Sequence, residues 1–492
     1  MRSPGRASAA VAAFAGLLVL ASGTLLGEGG WQSETRLTNN PDTSTVGPNN
    51  GKYLAVDPAG NLHIVWVDYR DKTPRVFHKK MSGGIWSADE PVTAKGGTPA
   101  RPVIVFDESG MMHLLWNDDR TGNMEIYHKV WHGGWDEDVQ VTQTAGASFG
   151  SSIVAVGDTI HLVYMERIDG HLQIMYRRCI DFVWSPAYPL TDVPTGDRMV
   201  PTLAKGRDGS LHAAWWDTRN DPLVGKIYYR EKIGDIWLDE VLLTDPANDA
   251  MRPSIAVDDS LGVHIAWIDA RGVYEQIYYR HRAASGWESE VALTHEPATH
   301  YHPSLSTAGG TVYLAYWDNH VSETNSEVFF LEKTALAWSG PLRVSNSDGA
   351  STLCCLIAEP NKNLHVAWVD TRDGNPEMYY RGYIDPSNGV GDDESAPPAA
   401  GILARIEAHP NPFHGSTSVE VDAGAASAVS VRIYSVDGRC VRTLVDERLL
   451  EGTHRFEWNG TDDRGRPLAP GAYFALGRFG KTRVNEKIVL LR

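Results

Sequence analysis

A chain of 492 residues exceeds one hydrophobic core of ordinary size, so more than one folded unit is expected. Its 16 Trp, 19 Tyr and 47 Gly suit many short strands joined by tight turns. A formal net charge of −17 argues against nucleic acid or an anionic membrane surface as partner, because both would repel it.

The chain opens with Arg2 and Arg6, followed by an uncharged run from Ala9 to Leu26 with small residues at Ala21, Ser22 and Gly23. This order predicts a signal peptide over residues 1–26 and an exported chain. The competing reading is a membrane anchor. No other segment approaches spanning length, so no membrane span is expected after signal removal.

Between residues 31 and 383 one pattern recurs seven times: an apolar strand, a turn, a strand ending in an aromatic residue, then a third, aromatic strand. The second strand reads LHIVW (Leu62 to Trp66), MHLLW (Met112 to Trp116), IHLVY (Ile160 to Tyr164) and LHAAW (Leu211 to Trp215). It continues as VHIAW (Val263 to Trp267), VYLAY (Val312 to Tyr316) and LHVAW (Leu364 to Trp368). Successive aromatic ends lie 48 to 52 residues apart, the period of a four-stranded propeller blade. A fourth element, Trp followed after six residues by Thr or Ser, begins at Trp86, Trp135, Trp184, Trp237, Trp287 and Trp338. The seventh repeat has none after it, but Trp31 to Thr38 supplies a copy ahead of the first. The expectation is an all-β, seven-bladed β-propeller whose N-terminal strand completes the last blade and leaves no open edge. In the fifth repeat the strands are predicted at Pro253 to Val257, Val263 to Ile268, Gln276 to Arg280 and Trp287 to Thr294. A Pro-, Gly- and acid-rich linker follows over residues 384–405, and a second β pattern over residues 406–492 predicts a small Ig-like sandwich. In that sandwich Trp458 and Tyr473 should fill the core, with turns at Asp437-Gly438 and Asp463 to Gly465.

Strand two is followed by Asp68/Arg70, Asp118/Arg120, Asp217/Arg219, Asp269/Arg271 and Asp370/Arg372; the third repeat has Glu166 and Ile168, the sixth Asp318 and His320. A pair copied in five blades is architecture, since an active site needs one constellation. The Asp is expected to accept turn N–H groups and the Arg to fork onto a carboxylate of its own or the next blade. The recurrent His of strand two is read as blade packing. Residues that break the repeat carry the functional expectation. Arg101, Arg198, Asp249, Arg252, His300, Tyr301 and His302 lie in the segments between blades, on the face of the Asp-x-Arg loops. They form the candidate contact set for a glycan or protein ligand, the alternative being an ordinary polar rim. Cys354 and Cys355 are adjacent and far in sequence from Cys179 and Cys440, so buried thiols are expected rather than disulfides. No spacing predicts a metal site, a catalytic motif or a cofactor.

The His-x-x-Trp-x-Asp-x-Arg and Ile-Tyr-Tyr-Arg strands resemble the sialidase-like (BNR-type) propeller repeats of exported bacterial proteins. That resemblance implies a rival activity, sialidase-type glycoside hydrolysis, with Arg101, Arg198 and Arg252 as the nearest arginine cluster. The Asp-box is not intact, however, since Ser82 to Trp86 reads SGGIW. In the tail, Pro410-Asn411-Pro412-Phe413, Val429 to Leu444, Trp458-Asn459-Gly460, Asp462 to Gly465, Pro470 to Phe474 and Lys487 to Arg492 resemble the FlgD-like Ig-like domain and the type IX secretion sorting domain. Such tails imply an outer-membrane secretion machinery as partner and a secreted or cell-surface destination. The combined expectation is a non-catalytic exported propeller presenting a binding face. A purely structural surface scaffold is the remaining alternative.

Overall fold

The computed structural model describes residues 30–47, 52–389 and 405–491, apart from short internal stretches of one to four residues. The predicted signal peptide, most of the predicted linker and the Asp437-Gly438 turn lie outside the described residues. No described helix is long and apolar enough to cross a membrane.

Seven antiparallel sheets follow one another along the chain, each a meander of four strands. Their second strands are Leu62–Asp68, Met112–Asp118, Thr159–Ile168, Leu211–Asp217, Val263–Asp269, Thr311–Ser322 and Leu364–Asp370. In sheets one, two, five and seven every residue of this strand is buried, which explains why polar and apolar residues alternate so weakly. In the fifth sheet the first strand starts earlier than predicted, at Ala250–Val257, with a bulge between Met251 and Ser254. Its outer strand is broken into Gly286–Trp287 and Val291–Ala292, and Glu290 between them meets Arg271 at 2.6 Å.

The Trp-to-Thr element has two anchors. The Thr or Ser hydroxyl accepts a strand-three backbone N–H: Val76 to Thr93 at 3.0 Å, Ile126 to Thr142 at 2.8 Å and Val328 to Ser345 at 2.8 Å. The Trp ring meets an aromatic ring of the preceding sheet edge-on. Trp135 packs on His78, Trp184 on His128, Trp237 on Tyr176, Trp287 on Tyr229 and Trp338 on Tyr279, at centroid distances of 5.0 to 5.6 Å. The N-terminal copy does the same for sheet seven. Thr35 and Arg36 pair with Tyr380 and Tyr379, the Met378 N–H donates to Thr38 at 2.9 Å, and Trp31 packs on Phe330 of sheet six at 5.4 Å. Sheet one in turn places Trp86 on Tyr380 of sheet seven at 5.3 Å. Near the inner strands Lys52 of sheet one donates to Ser304 Oγ and Leu305 O of sheet six and to Leu356 O of sheet seven, at 2.8 to 3.0 Å.

Five of the Asp-x-Arg pairs are built alike. Asp269 accepts the Trp267 indole N–H at 3.2 Å, the Arg271 backbone N–H at 3.0 Å and Arg271 Nε at 2.7 Å. The guanidinium lies over Tyr278 at 3.9 Å and reaches Glu290. Arg70 likewise joins Asp68 to Asp89, Arg120 joins Asp118 to Asp138, Arg219 joins Asp217 to Glu240, and Arg372 joins Asp370 to Glu34. The second carboxylate always stands three residues after the outer-strand Trp. Sheets three and six, which lack the Arg, have Ala187 and Pro341 there. The sequence reading left this partner open between two blades; the Trp-x-x-acid pattern identifies it.

The recurrent His also has an architectural role. His161, His212, His264 and His365 meet a strand-three tyrosine hydroxyl at 2.6 to 2.8 Å, while His63 and His113 meet His78 and His128 at 2.9 Å. Burial holds His63, His161, His212 and His264 down to about 4, and His128 to about 3. Unfolded imidazoles take up protons below about 6.5. Between about 6.5 and 4 the unfolded chain therefore binds more protons than the folded one, and stability falls as pH is lowered through that window. Urea unfolding should show a loss on the order of 2 kcal/mol or more between pH 7.5 and 4.5; a constant midpoint would contradict the buried-neutral assignment.

All four cysteines are free; Cys179, Cys354 and Cys355 are buried and Cys440 is exposed. C-terminal strands form a three-stranded sheet (Arg405–His409, Thr417–Ala423, Gly452–Trp458) and a four-stranded one (Ser427–Ser435, Cys440–Leu449, Gly471–Phe479, Thr482–Leu490). Their shared core holds Trp458 and Tyr473 at 5.2 Å, with Phe413 against Trp458 at 5.5 Å. The Asp462 to Arg466 turn is held by Asp462, which accepts the Arg464 and Arg466 backbone N–H groups at 2.9 Å.

Candidate functional site at the inner bulges

Each first strand of sheets two to seven carries a bulge, at Ala100/Val103, Phe149/Ser152, Met199/Thr202, Met251/Ser254, Tyr301/Ser304 and Thr352/Cys355. The bulge puts one residue per sheet in the left-handed region: Arg101 (φ 51°), Gly150 (71°), Val200 (51°), Arg252 (54°), His302 (48°) and Leu353 (53°). Only glycine adopts this conformation without strain, so the other five are held in place by the surrounding sheet. Being common to six sheets, the bulge is architecture. What it presents differs, and in three of them it presents a cationic or imidazole side chain.

Two of those three are in contact, and the third feels the charge of one of them. Arg252 Nη1 donates to His302 Nε2 at 2.8 Å, which fixes the His302 proton on Nδ1. Burial, assisted by Arg252, pushes the His302 imidazole down to about 3, so it is a neutral acceptor. Arg101 extends between Gly47 and Gly150 and lies over the Phe149 ring at 5.6 Å. Its pKa is lowered by burial and by the charge of Arg252, although the two stand in sheets two and five. Arg101 and Arg252, three sheets apart along the chain, are thus within electrostatic reach of each other. Arg101 has no carboxylate partner among the described residues. Burial also lowers Arg252, an effect opposed by Glu275 and Tyr301. Glu275 is raised by burial, against the pull of Arg252. Tyr301 stacks on Trp317 at 4.1 Å, and His302 lies nearly parallel to the same indole at 6.1 Å.

Of the seven sequence candidates, Arg252, Tyr301 and His302 thus lie together, and Arg101 feels the charge of Arg252. Asp249 stands beside this group: its carboxylate accepts the Gly225 N–H at 2.8 Å and adds to the raised pKa of Glu275. Arg198 and His300 do not reach it. Arg198 is fully buried, opposite Asp217 at 3.5 Å, and donates to Val193 O and Gly196 O. His300 is equally buried, 3.3 Å from Asp318 and bound to Glu275 O at 3.0 Å. Sequence reasoning missed Glu275, Phe149 and Trp317, which carry no motif and are recognised only by their neighbours. A hollow of about 580 Å³ between sheets three and four also contains charge, but there Arg178 and Lys232 both face Asp235, at 2.7 and 3.5 Å. Its cations are already paired, whereas Arg101 has no acid among the described residues.

No curated protein sequence matches the chain. Among solved structures, it is similar to a PL25-family ulvan lyase, a polysaccharide lyase, with 10% identity over 69% of this chain and 94% of that one, at a TM-score of 0.51. It is also similar to a Hadza microbial sialidase (12% identity, 63% and 73% covered, TM-score 0.39). A third similar structure is PorZ, a bacterial surface component of the type-IX secretion system of Porphyromonas gingivalis (14% identity, 91% and 61% covered, TM-score 0.40). Residues 409–475 match the family model of the FlgD Ig-like domain. The chain therefore combines a β-propeller-like fold with a C-terminal FlgD Ig-like domain.

Proposed function

We propose that the protein is an exported, non-catalytic binding protein: a closed seven-bladed ring whose central mouth takes an anionic group of a glycan or protein ligand. Residues 1–26 start its export, and the C-terminal domain engages an outer-membrane secretion machinery and leaves the protein secreted or attached to the cell surface. What supports the ligand reading is Arg252 held against His302 at 2.8 Å, with Arg101 feeling the charge of Arg252 and having no carboxylate partner among the described residues. A carboxylate or sulfate placed between them relieves that repulsion, and the aromatic rings of Phe149, Tyr301 and Trp317 offer surfaces on which a sugar or peptide side chain can lie. Clustering of the two arginines also separates this reading from a bare scaffold, which needs no convergent charge.

A glycan-array screen of the full-length protein tests the proposal. Carboxylated or sulfated glycans should bind selectively, and Arg101→Ala or Arg252→Ala should weaken binding about 10- to 150-fold, as loss of a charge-assisted contact does. Unchanged binding in the double variant would sink it. One observation favours a second reading, sialidase-type hydrolysis: Glu275 and Tyr301 both approach Arg252, and Glu275 is raised towards a proton-holding state. Turnover of a fluorogenic sialoside that Glu275→Gln abolishes would favour hydrolysis; binding without turnover favours the binding protein.

A further inference from the structure

We infer that the fifth sheet carries a divalent transition-metal site formed by Asp258, His264 and His281, in the zinc class. The three side chains each offer one ligand atom, and these atoms lie within 4.8 Å of one another. Tetrahedral coordination at about 2.0–2.2 Å needs donors roughly 3.4 Å apart, so small side-chain adjustments complete it. Two imidazoles with one carboxylate suit zinc and its neighbours better than calcium or magnesium, and three protein ligands leave a fourth position for water.

The surrounding groups orient all three ligands. Asp258 Oδ1 is occupied by the Ser260 and Gly262 backbone N–H groups at 2.7 and 2.8 Å, which leaves Oδ2 to face the rings. His264 has Nδ1 at 2.6 Å from the Tyr279 hydroxyl and Nε2 at 2.9 Å from Asp258 Oδ2. His281 has Nδ1 at 3.2 Å from Glu288, so that its proton sits there and Nε2 presents a lone pair to the cluster. The two rings are stacked at 4.6 Å and 8°. Outer carboxylate and hydroxyl partners on Nδ1 are the usual means by which metal-binding imidazoles are aimed.

Comparison with the other sheets separates this cluster from the shared His–acid device. His63–Asp57 and His113–Asp107 repeat the pair at 3.3 and 3.0 Å. Opposite these histidines stand Lys80 and Val130. In sheet one the Lys80 ammonium lies 3.7 Å from Asp57, a cation supplied by the chain itself. Sheet five puts the His281 imidazole in that place in the stead of an ammonium, its ligand atom within 4.8 Å of those of Asp258 and His264. Gly262 adds a second sign. Its φ lies outside the left-handed region, yet a Cβ there would come within 2.6 Å of Asp258 Oδ2 and 2.8 Å of His281 Nε2. The glycine keeps open the space a metal and its water would occupy, where other sheets have Asn61, Met111, Ser210 and Asn363.

Cobalt(II) titration of the full-length protein, followed by zinc competition, tests the site. One cobalt per chain should bind with the visible absorption of a four-coordinate ion and be displaced by zinc, and zinc should raise the unfolding temperature. His281→Val places sheet two's residue opposite His264 and should fold normally. It should weaken cobalt binding at least about 100-fold and abolish the zinc-dependent shift, while Glu288→Gln should weaken binding about 10- to 100-fold. Equal cobalt affinity in His281→Val, or no uptake by the unaltered protein at neutral pH, would overturn the assignment.

Discussion

Trp31→Ala is expected to destabilise the protein by about 3–5 kcal/mol, the range for truncating a buried tryptophan, and to make it self-associate. Trp31 is 8% exposed, between Phe330 of sheet six and Tyr383 of sheet seven, with Arg381 over its ring at 5.6 Å. It anchors the strand that covers Glu377–Tyr383. Without it that edge opens, and an uncovered strand edge is a template for pairing with another chain. Urea unfolding read by near-ultraviolet circular dichroism, with size-exclusion chromatography alongside, measures both effects. A loss below about 1 kcal/mol with a monomeric profile would mean that the N-terminal strand is dispensable.

Asp269→Ala should cost a similar amount, about 3–5 kcal/mol, for a different reason. Its carboxylate is 0% exposed and is the common acceptor for the Trp267 indole, the Arg271 backbone and the Arg271 guanidinium. Removing it strands several buried donors and leaves Arg271 with the partly exposed Glu290 as its remaining carboxylate. Asp269→Asn keeps one acceptor oxygen and should lose about half as much. Glu290→Gln, at the open end of the same bridge, should change stability by no more than about 1 kcal/mol. If denaturant midpoints rank Asp269→Ala no lower than Glu290→Gln, the buried carboxylate is not the organising element of the loop.

The repeat made the sheets legible because they solve the same packing problem with nearly the same residues: the Trp on its neighbour's aromatic ring, the Thr or Ser on strand three and, in five sheets, the Asp under the indole. The displaced Trp31 to Thr38 copy signalled its pairing with the last sheet for the same reason. The mouth was only half legible. Arg198 and Arg252 look equivalent in sequence, yet they stand two residues apart in the sheet register. Arg198 lies opposite the strand-two Asp217, as His300 lies opposite Asp318, whereas Arg252 and His302 stand at the bulge. A two-residue offset decides between an ion pair with the strand-two Asp and a place at the bulge, and no local composition reports where a bulge falls. The His264–His281 pair was invisible for a related reason. Its members meet through cross-strand register, not through a spacing along one strand.

The pairing of residues 35 and 36 with residues 380 and 379 also sets an order of events. The first described strand to be synthesised has its partner almost at the far end of the seven sheets. Loop-closure entropy over such a span is large, and contacts of high sequence separation form late. Until the seventh sheet emerges, Trp31 and its neighbours remain an unsatisfied apolar segment. A chain made N-terminus first would therefore complete its seventh sheet last, when residues 377–383 meet residues 31–38. The placement of one short strand thus sets the order of assembly, with the seventh sheet completed only when both ends of the seven-sheet stretch are present.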